Sequence, residues 1–226
     1  MRLPLSDIAS AAVFFPEKAA VYQSSFQQVK PTSCLVLTLM DGSERTFRVP
    51  MRVGRILQAD LDALPQSVSE AVDYIDSLQR RAAFSYLVDL LSRRDHSTKE
   101  IQDKLKGQGF SPSSIESAVE KARQSRYLDD ARFASYFVDE RVRRGWGRIK
   151  IEQELRRKGV DPAEIPGYPE EYFDEQSDVE RAAALLARKS IPENKPFEKL
   201  VRHLMSKGFS YSIARDAVQQ RLCRDS

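Results

Sequence analysis

Leu105-Lys106-Gly107-Gln108-Gly109-Phe110 recurs as Leu155-Arg156-Arg157-Lys158-Gly159-Val160 and again as Leu204-Met205-Ser206-Lys207-Gly208-Phe209. Each copy is a leucine, a mostly basic or small stretch, a glycine and an apolar residue, and the closing glycines stand 50 and 49 residues apart. A fixed period of that size marks a tandem repeat. Eight residues before each glycine stand Ile101, Ile151 and Leu200, and twenty-two before it stand Leu87, Phe137 and Leu186. Twenty-three before are Tyr86, Tyr136 and Leu185, and twenty-six before are Ala83, Phe133 and Ala182. Apolar spacings of three and four lie on one helical face, so the repeat is helical.

Three short helices are predicted in each unit. The first spans 81–92, 130–143 and 178–189; the second spans 97–107, 148–158 and 196–207 and stops at the repeated glycine, which suits the left-handed position past a helix end. The third starts after Ser111, Asp161 or Ser210, all good N-cap residues. Ser97 with Glu100 and Asp161 with Glu164 have capping-box spacing. In the second unit Pro166-Gly167-Tyr168-Pro169 follows at once and stops the third helix, leaving 166–177 as an irregular acidic connector or a short rebuilt helix. The expected fold class is mainly α, with tandem three-helix repeats at 81–127, 128–177 and 178–226. Such units have little core of their own and gain stability by stacking on neighbours.

Residues 1–80 differ in kind. Cys34–Leu39 and Glu44–Val49 flank Asp41-Gly42-Ser43 and read as a β-hairpin over 34–49. A two-stranded ribbon is marginal alone, so it must pack on a linking helix at 66–80 or on the repeats; residues 1–30 carry no pattern.

No apolar run reaches the ~18 residues that a membrane span needs. The opening Met1-Arg2-Leu3-Pro4-Leu5-Ser6-Asp7 argues against a signal peptide. Two cysteines make neither a disulfide framework nor a metal site, and a reduced cytoplasm is expected. His96 and His203 stand apart, with no paired carboxylate, phosphate loop or nucleophile motif nearby. No catalysis, cofactor or metal is therefore expected.

Net charge is +3, and its distribution carries more information than its size. Residues 1–80 hold 8 basic and 9 acidic residues, 81–165 hold 18 and 14, and 166–226 hold 10 and 10. Arg141, Arg143, Arg144, Arg148, Lys150, Arg156, Arg157 and Lys158 crowd into 141–158 against Glu152 and Glu154. Arg148 and Lys150 fall in the first turn of a helix capped by Gly147, where cations face the positive end of the dipole. Two readings stand. The cluster contacts an anionic partner, phosphodiester backbone or acidic protein, or it is a solvated face with Glu152 and Glu154 as i,i+4 partners. Trp146, the single tryptophan, plugs the helix–helix corner or stacks on an unpaired base. Tyr127-Leu128-Asp129-Asp130 reads as an N-cap pair with Tyr127 and Leu128 packed inside, and Arg93-Arg94-Asp95-His96-Ser97 as a capped turn.

The chain resembles the RecX family, regulators of the RecA recombinase. The likeness runs through Leu90-Leu91-Ser92-Arg93-Arg94, Ser97 with Glu100-Ile101, Lys104-Leu105 and Gly109-Phe110. It continues through Tyr127-Leu128-Asp129-Asp130, Arg132-Phe133-Ala134, Gly145-Trp146-Gly147, Ile149, Ile151, Glu154-Leu155 and Lys158-Gly159. It is strong over 81–165, moderate over 178–222 and loose over 1–75. The resemblance implies a non-enzymatic monomer that lies in the groove of the RecA–DNA filament. There it would restrain ATP hydrolysis, strand exchange and co-protease activity in recombination, DNA repair and the SOS response. It implies contact with single- or double-stranded DNA through the filament. The eight basic residues of 141–158 are the expected contacts. The rivals are a stand-alone nucleic-acid-binding protein built on helix-turn-helix-like units and a helical adaptor that touches no nucleic acid.

Overall fold

The structure is a computed structural model that describes residues 8–17 and 30–224. The reading of Met1–Asp7 lies outside them. The recurring phrase proves to be one helix-ending device used three times. The amides of Phe110, Val160 and Phe209 donate to the carbonyls of Leu105, Leu155 and Leu204, and those of Gly109, Gly159 and Gly208 to Lys106, Arg156 and Met205. That pair of bonds is the Schellman motif, which needs a left-handed residue at the turn. Gly109, Gly159 and Gly208 supply it at φ +82°, +76° and +94°. The leucine and the apolar residue of each phrase are both buried in the same core.

Two compact units divide at residues 128 and 129. In the first, β1 (Ile8–Phe14), β2 (Ser33–Leu39) and β3 (Glu44–Val49) form an antiparallel sheet in that order. The hairpin register pairs Leu35 with Phe47, and Asp41 Oδ1 accepts from the Ser43 amide at 2.9 Å to fix the turn. β1 was not foreseen, because Ala9-Ser10-Ala11-Ala12 has no alternation of large apolar residues. Leu35, Leu37 and Leu39 turn one sheet face to the core, beneath α1 (Met51–Ala59) and α2 (Val68–Leu91).

α2 runs unbroken through residues 80 and 81, where the sequence places both a domain boundary and a helix start. Its 24 residues contain neither Gly nor Pro, so nothing stops it. It is at once the linking helix and the first helix of repeat one, and one core extends from Ile8 to Leu128. α3 (Thr98–Gly107) opens on the expected capping box: Glu100 N–H donates to Ser97 Oγ at 3.2 Å and Ser97 N–H to Glu100 Oε2 at 3.4 Å. Arg94 and buried His96 also reach Glu100, closing the turn from 93 to 97. α4 (Pro112–Gln124), capped by Ser111, completes the repeat against α2.

The second unit holds repeats two and three. α5 (Asp130–Arg143) and α6 (Arg148–Arg157) lie as expected, but the third helix shrinks to a 3-10 turn at Pro162–Glu164. The Asp161–Glu164 capping box does not form, because in so short a turn Asp161 Oδ1 accepts from Ala163 instead. Tyr168, Tyr172 and Phe173 of the connector fill the vacated place and pack on the core of Phe133, Phe137, Ile151 and Leu155. Tyr168 OH donates to Glu152 Oε1 at 3.2 Å, which ties the connector to α6. α7 (Glu175–Ala187), α8 (Pro196–Ser206) and α9 (Tyr211–Arg224) form the third repeat around Leu186, Leu200, Leu204 and Phe209.

Gly159→Val is expected to destabilise the second unit by more than ~1 kcal/mol, since a β-branched residue is strained at positive φ. Denaturant unfolding followed by circular dichroism measures it, and a neutral result would mean that the turn is not needed. Glu152 gives a pH-dependent counterpart. Burial alone would raise its pKa, but hydrogen bonds from Arg148 and Tyr168 and the charges of Arg148 and Arg156 hold it below the ordinary 4.5. A lowered folded pKa stabilises above the ordinary value, and the benefit is lost as pH falls through the folded one. Glu152→Gln should therefore cost roughly 1 kcal/mol at neutral pH, and the gap from wild type should close below pH 4.5. A gap that persists in acid would show that the carboxylate charge is not used.

Candidate partner-binding surface

The α5–α6 corner is built by the same device as the repeats. Gly145 N–H donates to Val142 O and Trp146 N–H to Arg141 O, each at 2.9 Å, with Gly145 at φ +76°. The motif favours contact between its first and last side chains. Here these are Arg141 and Trp146, with the guanidinium 4.9 Å from the ring centroid. Trp146 is partly buried on the core of repeat two, as a corner plug should be.

The next residue brings two backbones into close approach. A Cβ on Gly147 would lie 2.3 Å from the Gly208 carbonyl carbon, so only glycine fits. Gly147 N–H donates to Lys207 O at 2.9 Å and Ile149 N–H to Gly208 O at 3.1 Å. The start of α6 thus caps the end of α8. This changes the meaning of Arg148 and Lys150. They do oppose the dipole of α6, but they also sit beside the negative C-terminal carbonyls of α8, which offsets the penalty. The amide of Ile149 is occupied by protein and does not point outward to an anion.

Seven of the eight basic residues fall into two groups, which overlap where Arg141 also pairs with Glu140 at 3.6 Å and Arg148 also lies 5.8 Å from the Tyr168 ring centroid. Arg141, Lys150 and Lys158 cover aromatic rings. Arg141 lies 4.8 Å from Phe137, Lys150 4.3 Å from Trp146, and Lys158 5.6 Å from Phe137. Such contacts contribute about 0.5–1 kcal/mol each at exposed sites and hold the charges in place. Arg144, Arg148, Arg156 and Arg157 face carboxylates instead: Glu140 at 2.5 Å, Glu152 at 2.7 and 3.3 Å, and Glu154 at 2.5 Å. The hydrogen bond to Glu152 raises the Arg148 pKa further and keeps it charged, while burial and Glu152 push the Tyr168 hydroxyl up. Arg143 is exposed and makes no ion pair among the described residues.

Tyr136 was expected on the buried face with Tyr86. Tyr86 is covered by Arg52 and accepts a hydrogen bond from Gln108, whereas Tyr136 is 66% exposed. Among the described residues, repeat two has no counterpart of α1 to cover it. Its spacing of seven and eight from Arg143 and Arg144 puts an open aromatic on the cationic face, a residue the apolar pattern disguised as core. Tyr127 likewise departs from expectation at 53% exposure, while Leu128 is buried and Asp129 caps α5 through the Arg132 amide at 3.0 Å. Among the described residues no helix is long and apolar enough to cross a membrane.

Comparison with known proteins gives this surface its context. The description "RecX, first three-helix domain" matches residues 83–121 and "RecX, second three-helix domain" matches 129–165. Regulatory protein RecX of Caldanaerobacter subterraneus subsp. tengcongensis is 30% identical over 136 residues, 60% of this chain and 68% of that one. Regulatory protein RecX of Haemophilus influenzae is 32% identical over 145 residues, 61% of this chain and 93% of that one. A crystal structure of regulatory protein RecX superposes with a TM-score of 0.54 at 22% identity, covering 92% of this chain and 97% of the other, which speaks for the fold. With the repeat device, the two matched domains and relatives aligned over most of their length, the chain belongs to the RecX family.

Proposed function

We propose that the chain is a non-enzymatic regulator that binds the RecA–DNA filament in the cytoplasm and restrains its ATP hydrolysis, strand exchange and co-protease activity. Family membership carries this reading. The α5–α6 surface supports it, because eight cations, seven of them held by rings or carboxylates, form a dense positive patch suited to phosphates or an acidic protein face. The rival in which α6 alone acts as a DNA recognition helix is less well supported. Its first amides cap α8, and repeat two has only a 3-10 turn where a third helix would stand.

The purified chain is expected to co-sediment with preassembled RecA filaments more strongly than with naked single-stranded DNA at the same salt, and to slow DNA-dependent ATP hydrolysis. Binding should weaken steeply with salt if phosphates are touched. Arg143, Arg144 and Arg157 changed to Glu should abolish it. These side chains are exposed and touch no ring, so each lost pair costs only about 0–1 kcal/mol of stability. The matched control is Lys195, Lys199 and Arg202 changed to Glu on exposed positions of repeat three. Equal losses from both triples would reduce the surface to net charge alone. An unchanged ATPase rate at concentrations where binding is seen would remove the inhibitory role.

A further inference from the structure

The first unit carries a second cationic surface, distant in sequence from the α5–α6 cluster. Between α1 and α2 runs a groove of about 630 Å³ whose floor is Leu78 and Ala82, both buried, and whose wall is Ile56, 44% exposed. Arg52 and Arg55 of α1 and Arg81 of α2 stand along it, and among the described residues no carboxylate lines it. Spacings of three and four on α1, and of three and four on α2 from Leu78 through Arg81 and Ala82, bring these residues to facing helix surfaces. Arg52 is already engaged, 2.8 Å from Asp89 and over the Tyr86 ring at 4.9 Å. Arg55 and Arg81 are exposed and make no ion pair among the described residues.

We propose that this groove docks a short acidic peptide segment of a partner protein. A bulky apolar side chain of the segment rests on Leu78 and Ala82 against Ile56, and its flanking carboxylates pair with Arg55 and Arg81. A single exposed isoleucine needs no explanation. An aliphatic floor bordered by charge of one sign is different, because an occupant that covers the floor and neutralises the border gains from both at once. A nucleic acid would meet the arginines with phosphate, but it would want rings on which to stack its bases. Among the described residues, the only ring lining this groove is the partly buried Tyr74. Aliphatic floor and cationic border together favour a peptide. The inference goes beyond the filament reading and does not rest on it.

The test uses the full chain, immobilised, and a random short-peptide library displayed on phage. The selected sequences are expected to be enriched in Asp and Glu around Leu, Ile or Phe. The best of them, labelled with fluorescein, should give saturable anisotropy with the full chain. Arg55→Glu with Arg81→Glu should weaken that binding at least about tenfold, as loss of charge-assisted pairs requires. The milder Arg55→Gln with Arg81→Gln should weaken it severalfold, and Ile56→Asp should do so without touching an arginine. Circular dichroism checks that each variant keeps its fold. A short oligothymidylate should fail to displace the peptide. The proposal is overturned if no acidic–apolar pattern is selected, if the selected peptide binds all three variants as it binds wild type, or if the oligothymidylate displaces it.

Discussion

Two hydrogen bonds between backbones, Gly147 to Lys207 and Ile149 to Gly208, hold the cationic corner of repeat two against repeat three. They form only because neither glycine has a side chain. The position a Cβ would take on Gly208 is 2.4 Å from the Cβ of Lys150, as intolerable as its counterpart on Gly147. The contact satisfies amides that a helix start leaves without partners and carbonyls that a helix end leaves exposed. Two helix dipoles meet with opposite ends together. From this single approach follow the tight corner at Gly145, the partial burial of Trp146 and the placement of cations where one helix alone would disfavour them.

Much of the fold was legible because its most repeated element is local. A Schellman turn is specified by one glycine and two apolar residues within six positions, so Leu105–Phe110, Leu155–Val160 and Leu204–Phe209 could be aligned by eye. The helices between them followed from apolar spacing. Two features that escaped depended on absence or on distance. α2 has no residue to mark an end, so a boundary drawn at residue 81 had nothing to contradict it. β1 is alanine-rich and gains its place by pairing with β2, Ala11 opposite Leu37, and by packing Ile8 into the core, against partners remote in sequence.

The candidate site was legible in its charge and illegible in its geometry. Counting showed eight cations between 141 and 158. It could not show that Arg141, Lys150 and Lys158 lie over Phe133, Phe137 and Trp146, nor that Glu140 joins Glu152 and Glu154 as a counter-ion. The i,i+4 partners of Glu152 did form, while Glu154 pairs with Arg157 at i,i+3, so the solvated-face reading describes half of the cluster. The two readings are therefore not exclusive. Ion pairs on a surface are worth little to the fold and exchange readily for a stronger anion.

That division bears on how the surface would bind. A flexible arginine loses side-chain entropy when a partner immobilises it, about 0.5–1.5 kcal/mol for each such group. Arg141, Lys150 and Lys158 have already lost much of that freedom to the rings beneath them, so an anion meets them pre-positioned. Arg144, Arg148, Arg156 and Arg157 must instead release a carboxylate, and the released Glu140, Glu152 and Glu154 then repel the incoming charge. The ring-held cations thus favour tight, oriented contact, and the paired ones favour reversible contact that depends on salt. A surface that must hold an anionic partner and release it again is better served by both than by either alone.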